Sequence, residues 1–178
     1  MPDEWTVGIP EIGRIIALYT YASYTGDVIY EKQADELLEQ LLENDIEIVP
    51  SLGQESSFCS LGCGLIYILC NGFAEGEENE ILMELDTRLS ALSINWNKEQ
   101  KESLYGWIHY LTLRIDVSEG GTATLINKQN LIQFLDRLGD FEIVDDCLLE
   151  DIRKIDALGI FPERTKRLLG EKEIVYIM

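Results

Sequence analysis

The chain has 178 residues, 46% of them hydrophobic and 9% aromatic, a composition that supports a folded domain with its own core. Against 14 Lys and Arg stand 33 Asp and Glu, a net charge of −19. A field of that sign repels nucleic-acid phosphates and anionic lipid surfaces, so neither is expected as a partner, whereas a basic peptide or basic protein is permitted. The plain reading of the same acids is a solvated, solubilising surface.

In chain order, Ile12, Ile15, Ile16 and Tyr19 give the first segment helical spacing. Tyr24-Thr25-Gly26-Asp27 reads as a turn, with Asp27 placed to cap the next helix. That helix runs from about Asp27 to Leu42, with Ala34, Leu37, Leu38, Leu41 and Leu42 on one side. In the linker that follows, Ile46-Glu47-Ile48-Val49 alternates like a short strand until Pro50 ends it. A third helix is expected from about Leu61 to Cys70, stopping at Asn71-Gly72. Acids at Glu75, Glu77 and Glu78 precede a fourth, which carries Ile81, Leu82, Leu85, Leu89 and Leu92. The fifth covers about Lys98 to Arg114, with Leu104, Trp107, Ile108 and Leu111 inward. The sixth covers about Lys128 to Leu138, and the seventh about Val144 to Leu158, closed by Gly159. Pro162 suits the first turn of a short eighth helix, and Ile174 to Met178 reads as an extended tail.

Three helices share a pattern in which a glycine opens an apolar, aromatic run: Gly13 to Tyr19, Gly64 to Leu69 and Gly106 to Leu111. Their partners, such as Glu31 to Glu36 and Asn79 to Glu84, have broad polar faces. A helix apolar all round is buried and a striped one lies at the surface. The chain therefore reads as one all-α domain, 1–178, of repeated helical hairpins forming a partial α/α toroid, glycine-led helices inside and striped helices outside. The N-terminal Met1-Pro2-Asp3-Glu4-Trp5 shows neither a basic region nor an apolar segment after it. With no apolar run long enough to span a bilayer, a cytoplasmic protein is expected. Its cysteines, Cys59, Cys63, Cys70 and Cys147, then read as reduced thiols.

Three stretches over 12–115 resemble the lanthionine synthetase C-like family. They are Ile16 to Leu38, which looks like its first hairpin; Leu61-Gly62-Cys63-Gly64-Leu65-Ile66-Tyr67 with Asn71-Gly72-Phe73 and Asn79 to Asp86, like its second; and Ser103-Leu104-Tyr105-Gly106-Trp107 with Tyr110-Leu111 and Arg114-Ile115, like the opening of its third. The resemblance implies an α/α toroid. In active members of that family a zinc ion, held by two cysteines and a histidine, activates a peptide thiol to form thioether rings. The family's Cys-His dipeptide is absent, and His109 follows Ile108, so no zinc ligand carries over.

The residues themselves offer a few chemical constellations. If the third helix begins as early as Cys59, then Cys59, Cys63 and Cys70 share one side of it, and with His109 they could form a Cys₃His zinc site; buried thiols and a core histidine are the plain alternative, and the spacing matches no common zinc pattern. A catalytic pair of Cys63 or Cys70 with His109 lacks an acid to orient the imidazole. Asp145-Asp146 and Glu150-Asp151 read as solvated helix-surface acids. No cofactor and no catalytic residue is expected. A concave inner face, with Tyr67, Trp107, His109 and Tyr110 near it, is expected to hold a peptide. That makes the chain a non-catalytic or accessory protein of a peptide-modification system. An acidic inhibitor or immunity-type protein that masks a basic partner is the second expectation. A zinc-dependent peptide cyclase is the third, and the missing ligands argue against it. The open edges of an incomplete toroid further imply self-association.

Overall fold

The computed structural model describes residues 10–45, 55–95, 101–117, 122–138 and 146–159. Every regular element among them is a helix: α1 (Pro10–Thr25), α2 (Val28–Asp45), α3 (Glu55–Cys70), α4 (Glu78–Asn95), α5 (Lys101–Val117), α6 (Thr122–Leu138) and α7 (Asp146–Ala157). The fold is all-α, and among the described residues no helix is long and apolar enough to cross a membrane. The strand-like stretch 46–49, the helix expected after Pro162 and the tail 174–178 lie outside the described residues. Two compact units make up the chain, residues 1–85 and 86–178, and α4 runs over the border between them.

In the first unit α1 and α2 form a hairpin, and α3 packs on α1. Gly26 turns the chain at φ 71°, a left-handed conformation that glycine adopts without strain, and its N–H donates to Ala22 O at 2.7 Å. Asp27 then caps α2 as expected, its Oδ1 accepting from the Ile29 N–H at 3.0 Å. Ile12, Ile15, Tyr19 and Ala22 are buried at alternating three- and four-residue steps, which is the seam α1 presents to its neighbours. The end of α3 is a Schellman motif: Gly72 has φ 65°, Phe73 N donates to Ile68 O and Gly72 N to Leu69 O, both at 3.0 Å. Phe73 folds back so that its ring lies 6.2 Å from Tyr67 and stacks on Tyr19 at 5.5 Å, pinning the end of α3 to α1.

The glycine pattern needs correction. Gly13, Gly64 and Gly106 lie inside their helices rather than opening them. Gly64 is buried, and a Cβ there would overlap the Ile12 side chain, so the approach of α3 to α1 depends on it. Gly13 is exposed and a Cβ there would meet nothing. Nor is α1 buried all round, for Arg14, Ala17, Thr20, Tyr21 and Tyr24 are exposed.

In the second unit α5 packs against α6 and α7. Leu104, Trp107, Ile108, Tyr110, Leu111 and Arg114 have no accessible surface, so α5 is the helix that meets the expectation of burial on nearly all sides. Trp107 rests on Phe134 of α6 at 4.9 Å, and Ile152 and Ile155 of α7 are buried. Both α3 and α6 begin well before the residues that their apolar spacing marks. Near the start of α6, Leu125 and Ile126 are exposed although apolar, and the buried residue beside them is Asn127, so hydropathy does not mark this part of the helix.

Candidate functional site

Along one side of α2, Leu38 and Leu42 line an open groove together with the buried Tyr19 of α1 and with Ala74, just after α3. Asp35, Glu39 and Glu43 line its rim. The groove encloses about 470 Å³. Its residues on α2 fall at steps of three and four, so a single helix supplies both the leucines and the rim.

The rim belongs to a longer row. Glu31, Asp35, Glu39 and Glu43 follow each other at four-residue steps, about 6 Å apart along the axis. All four are exposed. Like charges at that spacing oppose each other by roughly 0.2–0.5 kcal/mol per pair, so the row's three successive pairs destabilise α2 by about 1 kcal/mol. Asp35 is tied to the groove wall, its Oδ1 accepting from the Tyr19 hydroxyl at 2.7 Å. Burial, then this hydrogen bond and the charges of Asp35 and Glu31, push the Tyr19 phenol above its ordinary value. Tyr19 therefore stays a neutral donor, and the groove's negative charge stays on the carboxylates.

The second unit handles its acids differently. Asp86, on α4, is buried and accepts from the Tyr110 hydroxyl at 2.7 Å, from Arg114 Nε at 3.2 Å and from Asn127 Nδ2 at 3.1 Å. Asn130 Nδ2 donates to Ser90 Oγ at 2.7 Å, a second polar tie to α4. Removing an ion from water is tolerated when its partners replace the lost hydration, and three donors do so for Asp86. Asp151 of α7, expected as a solvated acid, is instead buried at the α5 side, with Oδ2 2.8 Å from His109 Nδ1. It supplies the orienting acid that sequence reasoning could not name. A carboxylate in that position fixes the orientation of the imidazole, and among the described residues no cysteine with a described side chain lies in the same unit.

Of the four residues expected to line a peptide-holding face, Tyr67 belongs to the first unit and Trp107, His109 and Tyr110 to the second. Trp107 and Tyr110 are core residues with no accessible surface, so no ligand reaches them without unpacking α5. These two aromatics are packed into the core of the second unit instead of being displayed on a surface. The His109 side chain is 46% exposed and engaged with Asp151. Tyr67 is exposed and touches Phe73, which stacks on the groove residue Tyr19, so it adjoins the groove without lining it.

The weak metal candidates divide in the same way. Cys59, Cys63 and Cys70 are thiols on α3 in the first unit, Cys59 buried and Cys70 exposed, and His109 belongs to the second. Among the described residues no group of three or more His, Cys, Asp or Glu is gathered as a metal would need. The groove was missed because Leu38 and Leu42 read as one apolar stripe with the buried Ala34 and Leu41. The signal that marks it is the acid row beside that stripe. Comparison with known proteins finds no family model, no curated protein and no solved structure that matches this chain, and the likeness to the lanthionine synthetase C-like family therefore rests on the quoted motifs alone.

Proposed function

We propose that this chain is a binding protein, and that the groove of its first unit receives a basic, partly apolar segment of a partner protein or peptide. One observation carries the reading: the half-buried apolar side chains of Leu38 and Leu42, packed beside the buried Tyr19, lie next to a row of exposed carboxylates. Apolar contact supplies affinity in such a site, and the flanking charge supplies attraction at a distance and the choice of partner. The net charge of −19 extends the same field around the whole molecule.

The two leading expectations from sequence meet here. A protein that masks a basic partner and an accessory protein that holds a basic stretch of a precursor peptide would use the same groove. The peptide-modification setting rests on the family resemblance and the partial toroid on the hairpin pattern together with it, and the binding role does not depend on either.

The test is a titration of the full chain with a labelled peptide of lysines and leucines. Binding is expected at low salt, weakening by about tenfold or more as salt is raised through the physiological range. Leu42→Gln, which leaves every charge in place, is expected to weaken it as well. A chain that takes up no cationic peptide even at low salt would defeat the proposal.

A further inference from the structure

The acid row on α2 constrains the shape of its partner as well as the sign of its charge. We propose that the segment received by the first unit is itself an α-helix, with Lys or Arg at every fourth position and leucine-like residues on the adjoining flank, lying across α2 above Leu38 and Leu42. The inference rests on the binding role just described and adds the partner's conformation and register to it.

Glu31, Asp35, Glu39 and Glu43 form one four-residue ridge of α2. Ridges of this kind are inclined about −26° to their helix axis, and those of two helices interdigitate when the axes cross near −50°. In that pose the cations of a partner ridge rise in the same steps as the carboxylates, and each rung can pair. Apolar residues three or four positions away on the partner fall over Leu38 and Leu42, the anchor spacing of a helix held in a groove.

An extended partner fits less well because it carries unpaired backbone N–H and C=O groups, and the side of a helix has none to offer in return. A partner helix satisfies its own backbone and brings only side chains to the groove.

The row's effect on the unbound protein is an independent consideration. Carboxylates at successive four-residue steps repel one another, and no cation among the described residues is paired with Glu31, Glu39 or Glu43. A cationic ridge removes that repulsion on binding. The inference therefore links two measurements of opposite sign: changes that relieve the row should stabilise the free chain and weaken its grip on the partner.

Three labelled peptides of identical composition test this by fluorescence anisotropy with the full chain at low salt. The first has lysine at every fourth position with leucines on the adjoining flank, the second has the same residues scrambled, and the third alternates lysine with leucine as a strand would. The first is expected to bind at least about tenfold more tightly than the others. Glu39→Lys is expected to lower that affinity to the level of the scrambled peptide while raising the melting temperature of the free chain, because both repulsive pairs of Glu39 become attractive. Equal binding of the three peptides, or preference for the alternating one, overturns the helical register but leaves a basic partner in place. Displacement of the first peptide by spermine at equal concentration overturns it too, since charge alone would then suffice. A Glu39→Lys chain that melts lower than its parent overturns the strain assigned to the row. Failure of every cationic peptide to bind removes the binding role itself.

Discussion

The two units place carboxylates under opposite regimes. In the first, Glu31, Asp35, Glu39 and Glu43 stand in water at repelling distances, and their helix is slightly weaker for it. In the second, Asp86 is withdrawn from water and held by Tyr110, Arg114 and Asn127. Apart from Asp35, which holds the Tyr19 hydroxyl, the exposed row contributes nothing to folding and is open to solvent, whereas the buried acid is committed to folding. Packing in the first unit depends instead on steric fit, most visibly where Gly64 meets Ile12.

Several substitutions would break or sharpen this contrast, and the largest effect is expected in the second unit. Arg114→Met removes the cation beside Asp86 while keeping most of the side chain's bulk, and should cost about 3–5 kcal/mol in chemical denaturation. If Asp86→Leu added to it restores much of that loss, the damage came from the stranded carboxylate rather than from a missing attraction. Gly64→Ala tests the first unit: its Cβ overlaps Ile12, so a loss of about 1–3 kcal/mol is expected, reduced when Ile12 is shortened to Val. A neutral outcome there would mean that α1 and α3 are not held by fit.

Smaller effects follow at Tyr19 and Gly13. Tyr19→Phe deletes the hydrogen bond to Asp35 and should cost about 1 kcal/mol at neutral pH. The phenol of Tyr19 is raised in the folded chain, so its share of stability is complete below the unfolded value of about 10 and falls as pH climbs above it. Denaturation of wild type and variant should therefore converge at alkaline pH, and parallel curves would count against the buried phenol. Gly13→Ala has open space and should stabilise α1 by about 0.5–1 kcal/mol, the reverse of the same change at Gly64.

Local chemistry was the most legible part of this chain. Gly26-Asp27 and Asn71-Gly72 announce a turn and a helix end because the conformations they favour are set within a few residues, and both stand as read. Helix starts at α3 and α6 were less legible, since both helices begin about six residues ahead of the apolar spacing that marks them. The Asp86–Arg114 pair was within reach. Asp86 sits among Leu82, Leu85 and Leu89, and Arg114 lies seven residues beyond Trp107, so both charges fall on apolar stripes of their helices. Opposite charges on two buried faces ask for each other, and periodicity alone does not weigh that. Trp107 and Tyr110 mark the converse limit: aromatic spacing signals burial well and says nothing about whether a surface lies beyond it.

Phe73 has a further consequence through its anchorage on Tyr19. It holds the backbone just after α3 in place, so Ala74 meets the groove from a braced strut rather than from a hinge. A side chain exchanged at position 74 therefore enters the groove from a backbone whose place is already set.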